Sequence, residues 1–215
     1  MSLLRLDKLT DSTVQDLSPS FNHLPSTEHK DGKYRLRRYS VVELMVEPTA
    51  IKALPINQFM QTDKYNNFQG NVERKFENID ESALYSDGMK EIIYQFRMVN
   101  SLPYTTLVEI HQMRIVTLYE ETPISPEGVH QDGNDFIATV GIARHNIEGG
   151  HLLVYMEKDE EPFIYLPLEA GYMVTMDDKK LWHHGRPIKS LDQNSDGYMD
   201  VFILTTKVAN KLLAW

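Results

Sequence analysis

The chain has 215 residues, a formal net charge of −9 and no cysteine. The absence of cysteine excludes disulfides, thiolate zinc sites and cysteine nucleophiles. The acidic balance, without a basic run of five, argues against nucleic acid or an anionic membrane as partner. No apolar run of eighteen and no apolar leader segment occur, so a soluble, cytoplasmic protein is the expectation. A single domain of this length buries roughly 70% of its unfolded-chain surface, which allows a sizeable core.

In chain order, Leu3, Leu4, Leu6, Leu9, Val14 and Leu17 are spaced for a short helix ending near Leu17, followed by loop through Pro19 and Pro25. Tyr34 to Val46 reads as a strand with Val41, Val42, Leu44 and Val46 on a buried face. Its basic cluster, Tyr34-Arg-Leu-Arg-Arg-Tyr39, reads as a solvated strand face. Residues 47–80 are loop-rich and without a clean period. Ser82 to Ser101 is helical, with Leu84, Met89, Ile92, Ile93 and Phe96 on one stripe.

From Thr105 the texture becomes that of a β protein. A long strand over Thr105–Tyr119 is followed by short ones at 135–143, 151–156, 163–166, 172–176, 181–184 and 198–206. Gly149-Gly150, Glu160-Glu161-Pro162, Ala170-Gly171, Asp177-Asp178 and Asn194-Ser-Asp-Gly197 supply the turns. The pattern predicts a mainly β fold with flanking helices, a double-stranded β-helix or jelly roll of cupin-like shape. A helix-containing part (1–103) and a β-rich core (104–206) would form one domain, since no linker composition separates them.

The chemistry is concentrated in Pro126-Glu-Gly-Val-His-Gln-Asp-Gly-Asn-Asp-Phe136. His130 and Asp132 are two residues apart, so on a strand they share a face. About fifty residues downstream, His183 and His184 offer a third ligand. Neighbours on a strand point to opposite sides, and His183 is taken as the inward one, with His184 outside it. Two His and one carboxylate make the facial triad of non-haem Fe(II) oxygenases, which leaves coordination positions open. The triplet alone is weak evidence, for a second His-x-Asp occurs at His29-Lys-Asp31; that one reads as a polar turn. His111 reads as a hydrogen-bonded core or surface histidine, and His145 and His151 as solvated loop residues.

Six blocks in the same order carry a family resemblance: Asp31 to Tyr39, Gly70 to Glu77, His111 to Ile115, Pro126 to Phe136, Arg144 to Gly150, and Met176 to Ile188. Together they resemble the bacterial 2-oxoglutarate/Fe(II) dioxygenases typified by the isoleucine 4-hydroxylases. The resemblance implies a jelly roll, Fe(II) held by His130, Asp132 and His183, 2-oxoglutarate and O2 as co-substrates, and hydroxylation of a free amino acid or similar small metabolite. Related halogenases have a small residue where Asp132 stands, so the carboxylate favours hydroxylation.

One departure bears on the co-substrate. The family carries an Arg at the start of the last strand, in a Tyr-Arg-Asp context, to pair with the distal carboxylate of 2-oxoglutarate; here the run is Tyr198-Met199-Asp200. A methionine offers no charge-assisted donor. Arg186 is expected to take over, with Arg114 and Arg144 as the other candidates. Arg114 and Asp135 have the charges to receive a substrate carboxylate and ammonium. A homodimer is compatible with the sequence. Two rival readings are a jelly-roll metal- and ligand-binding module that has lost 2-oxoglutarate turnover, and a cupin-type enzyme; no His-x-His occurs, which counts against the cupin.

Overall fold

The computed structural model describes residues 3–207. Its elements in chain order are β1 (Leu4–Lys8), α1 (Asp11–Leu17), a 3-10 turn over Ser18–Phe21, β2 (Arg35–Leu44), β3 (Ile51–Leu54), β4 (Gln58–Phe59), β5 (Arg74–Lys75), α2 (Glu81–Leu84) and α3 (Asp87–Val99). The β-rich part follows: β6 (Leu107–Val116), β7 (Phe136–His145), β8 (Ile147–Gly149), β9 (His151–Tyr155), β10 (Ile164–Pro167), β11 (Tyr172–Asp177), β12 (Trp182–Gly185), β13 (Ile188–Ser190) and β14 (Tyr198–Thr206).

Seven strands form the large sheet, in the order β1-β11-β7-β14-β6-β2-β3, with every pairing antiparallel. A smaller sheet, β10-β9-β12, lies against one of its faces and is extended by a backbone bridge between His130 and His183. This is the expected jelly roll.

Alternation along the strands divides the core. On β6, Val108 and Ile110 join the helix-side cluster with Met89, Ile92, Ile93 and Phe96 of α3, while Met113 and Ile115 face the smaller sheet with Val154, Leu181, Met199 and Val201. The helix side chains are fully or almost fully buried, each worth about 1.5–3 kcal/mol relative to exposure. The large sheet is therefore covered on both faces. That explains why β2 has Val42 and Leu44 in one cluster and Tyr39 and Val41 in another, instead of the single buried face expected. Val46 lies beyond the strand and is exposed.

Two boundaries differ from the sequence reading. The segment Leu4–Lys8 is a strand, and the helix begins only at Asp11, with the Thr10 side chain accepting from Thr13 N as its cap. Leu4 and Leu6 suit either state by spacing; the unpaired edge of β11 decides for strand by offering a hydrogen-bonding partner. The expected helix over 82–101 is broken at Tyr85 and Ser86, where the Ser86 hydroxyl caps α3 by accepting from Met89 N at 3.1 Å. Among the described residues no helix is long and apolar enough to cross a membrane.

β7 carries one extra residue where β14 passes from Asp200 to Val201, so that Ile142 has no direct partner. Just before it, Gly141 lets the chain after β10 pass close by: a Cβ there would lie 2.5 Å from Glu169 O and 2.8 Å from Leu168 O. Both atoms are backbone and cannot rotate away. Gly141→Ala is expected to cost about 1–3 kcal/mol, measured as a lower denaturation midpoint at unchanged m-value.

Candidate metal centre

His130 and His183 exchange both backbone hydrogen bonds, 3.0 Å from His130 N to His183 O and 2.9 Å in the other direction. Directly paired residues project to the same face, and the two imidazoles meet with ring centroids 4.3 Å apart. Asp132, two residues on, joins them from the same side. Its Oδ1 lies 3.6 Å from His130 Nε2 and its Oδ2 3.6 Å from His183 Nε2. Ligand atoms of the three residues all fall within 4.8 Å of one another, a spacing with room for an ion between them.

The donor chemistry fits a ferrous ion. His130 Nδ1 lies 2.8 Å from Gly128 O; donating that bond fixes the tautomer that leaves the Nε2 lone pair free. His183 Nδ1 has no hydrogen-bond partner and lies 3.8 Å from Asp178 Oδ1. Burial alone would raise the Asp132 carboxyl, but contact with His183 and the charge of His130 hold it well below the usual range, so it stands as a carboxylate. Two imidazoles and one carboxylate suit Fe(II).

The surrounding residues hold the triad in place. Asp178, buried in the turn after β11, accepts from Asp132 N at 3.0 Å and Asn134 N at 2.8 Å, clamping the loop that carries Asp132. Gly133 makes the bend between them at φ 79°, and a Cβ there would strike the Tyr65 ring at 2.5 Å. Gln61 donates to Asp132 Oδ1 at 2.8 Å and is itself held by Asn66 Nδ2 at 3.0 Å. Nothing in the sequence singled out Asp178, which resembles ordinary turn chemistry, or Gln61 and Asn66, which lie in the loop stretch without periodicity.

The triad opens into a cavity of about 110 Å³. Its lining combines apolar side chains, Met113, Ile115, Ile137, Leu168, Met199 and Val201, with Arg35, Arg37, Arg74, His111 and Glu127. The basic strand expected to be solvated thus turns two arginines inward. Arg37 is buried, and burial together with the neighbouring Arg35 pulls its guanidinium down to about 9. Asp31, the acid of the second His-x-Asp, is also buried and pairs with Arg35 at 2.9 Å. His111 is buried between Tyr39 and Phe59, and burial, then Arg37, pushes it well below the usual imidazole range. It is a core histidine, but its Nδ1 has no hydrogen-bond partner. His151 lines the cavity and packs on Tyr165, whereas His145 is exposed and stacks on Tyr198.

The other residues singled out in the sequence lie elsewhere. Arg186 is exposed and donates to the Tyr165 hydroxyl, off the cavity lining; nearness to His183 in sequence did not carry it inward, because His183 and Gly185 face the cavity and Arg186 emerges on the other side. Arg114 is on the opposite face of β6 from Met113, forming a two-pronged pair with Asp200 at 2.7 Å for each bond. Asp135 pairs with Lys179, again outside the cavity. The strand parity that brings His130 and Asp132 together turns Asp135 away. Arg144 donates to Gly149 O at 2.7 Å and Gly150 O at 3.3 Å and is not on the lining.

A jelly roll with a His-Asp-His centre at the mouth of its cavity is the architecture of a non-haem iron oxygenase. The sequence matches the 2OG-Fe dioxygenase family over residues 18–205, and the chain belongs to that family. Its members use Fe(II), 2-oxoglutarate and O2, and the protein is a non-haem Fe(II) dioxygenase. Among solved structures it is similar to a bsmA homolog from Methylobium petroleophilum PM1, with 25% identity, TM-score 0.79, and 92% of this chain and 82% of that one covered. It also shares its fold with IDO from Bacillus thuringiensis (17% identity, TM-score 0.70, 93% and 83% covered) and with the Fe(II)/(alpha)ketoglutarate-dependent dioxygenase TqaL (14%, 0.65, 100% and 86%). No curated protein matches the sequence.

Two outcomes test these assignments. Beside Arg35 and Arg37, and with a hydrogen bond from Gln69, Asp31 overcomes its burial and is lowered to about 2. A depressed carboxyl stabilises the fold above its unfolded pKa and loses that contribution as pH falls through the folded value. Wild type should therefore lose roughly 2 kcal/mol more than Asp31→Asn between about pH 4 and 2, read from urea unfolding at each pH. Arg114→Met leaves the Asp200 carboxylate buried without its partner. Roughly 3 kcal/mol of stability should be lost, with iron affinity in the folded fraction unchanged; a substrate-binding Arg114 would instead leave stability intact.

Proposed function

We propose that this dioxygenase hydroxylates an unactivated carbon of a free amino acid or a similarly small zwitterion. The observation that carries the reading is the cavity itself. It is small, borders the triad, and has apolar side chains together with groups of both charges beside the metal residues. Glu127 Oε1 lies 3.4 Å from His130 Nε2, and its Oε2 is buried without a hydrogen-bond partner. Arg74 is buried, its Nε also unpartnered and its Nη2 3.5 Å from Gln61 Oε1, next to Asp132. Glu127 supplies a partner for an ammonium and Arg74 one for a carboxylate, roles that Arg114 and Asp135 are not placed to fill. The resemblance to amino acid hydroxylases points the same way.

His130, Asp132 and His183 would hold the iron, which when bound supplies the oxidising power to convert 2-oxoglutarate, O2 and a C–H bond into succinate, CO2 and an alcohol. The chain's own contribution is positional. Asp178 and Gln61 fix the Asp132 carboxylate, and the apolar wall excludes water from the reacting carbon. The small cavity selects a short side chain.

Succinate release should rise above its substrate-free background with at least one member of a panel of free aliphatic amino acids, and the product should gain one oxygen atom by mass. Glu127→Gln is expected to raise KM for that amino acid about tenfold or more while anaerobic binding of 2-oxoglutarate is unaffected. A panel without any stimulation would refute the amino acid substrate.

A further inference from the structure

2-Oxoglutarate brings a second carboxylate into the cavity beyond its keto acid end, and a buried charge needs a partner. Among the described residues, the arginine and lysine side chains lining the cavity are Arg35, Arg37 and Arg74. Strand register shows where the first two stand. Met199 of β14 pairs with Ile115 of β6, and Ile115 with Arg35 of β2; one rung along, Val201, Met113 and Arg37 are aligned in the same way. Paired residues share a face, so Arg35 sits on the inner surface two strands from Met199, about 10 Å away at the usual strand spacing. An arginine side chain spans much of that gap.

Both guanidinium groups lean toward β6. Arg35 Nε lies 3.2 Å and Arg37 Nη2 3.4 Å from the Met113 sulfur, and a thioether is a weak acceptor that a carboxylate oxygen would outcompete. Charge gives a second, independent indication. Three guanidinium groups face the cavity; the carboxylates set against them, apart from the metal residue Asp132, are Asp31, paired with Arg35 and Arg37, and Glu127 on the lining. One positive charge is left for an anionic ligand, while a zwitterionic substrate adds none.

We propose that Arg35 and Arg37 hold the distal carboxylate of 2-oxoglutarate, the anion site having moved two strands along the sheet from the position occupied by Met199. This rests on the dioxygenase reading and adds to it the residues that recognise the co-substrate. The apolar rung around Met199 then packs against the carbon chain or the substrate.

The test is an anaerobic titration of the Fe(II)-loaded protein, followed by its visible charge-transfer absorption, with 2-oxoglutarate and with 2-oxopentanoate, which has a methyl in place of the distal carboxylate. Wild type should prefer 2-oxoglutarate by about ten- to a hundredfold. Arg35→Met and Arg37→Met should bring 2-oxoglutarate down to the affinity of 2-oxopentanoate and leave the latter unchanged, with Arg37→Lys between. If Arg37→Met does not fold, Arg35→Met and Arg37→Lys decide. Full retention of the preference in folded, iron-binding variants overturns the proposal. An iron-loaded wild type that gives no absorption with either acid overturns the co-substrate reading itself, a different result from the first.

Discussion

The structure depends on one pair of backbone hydrogen bonds, those between His130 and His183. Each residue contributes its N–H and its carbonyl to the other, and a doubly bonded antiparallel pair leaves no freedom in which face the two side chains take. A slip of one residue on either strand would send that imidazole outward and bring its neighbour, Val129 or Gln131 on one strand and Trp182 or His184 on the other, inward. The remaining parts of the centre refine this arrangement. Asp178 ties down the loop after His130, Gly133 turns it, and Gln61 orients the carboxylate it delivers.

Much of this was legible in the sequence because it follows from periods of two. His130 and Asp132 share a face on any extended chain, His183 and His184 cannot, and the turn residues after Thr105 mark out the strands of a jelly roll. What was not legible depends on which face of an element is covered by something distant. Tyr34 to Tyr39 alternates in the manner of a wet strand, yet Arg35 and Arg37 face a cavity lined also by loop residues and by the smaller sheet. Arg186 and Asp135 are near metal residues in number and turned away in space, since an odd offset along an extended chain sends a side chain to the other side. The first strand was read as helix because its leucines fit both periods, and only the open edge of β11 discriminates.

The cavity also shows how one sheet divides its apolar and charged groups between strands. With Met199 on the inner rung, the end of the cavity beside β14 becomes continuous with the core cluster around Met113, Ile115 and Val201. Two of the cavity's three arginines, Arg35 and Arg37, are on β2, paired with Asp31. β2 belongs to the N-terminal part of the chain but pairs along its length with β6, so the strand that extends the barrel's sheet is also the one that sets its electrostatic character.

The pairing of β1 with β11 joins Leu4–Lys8 to Tyr172–Asp177, segments far apart in the sequence. During synthesis the first strand emerges long before its partner exists, and the outer edge of β11 stays open until that early segment returns to it. Contacts of such wide sequence separation form slowly, because the entropy of closing the loop is lost before the contact contributes. β1 thus acts as the latch of the sheet, a strand made early that can dock only once β11 has been laid against β7.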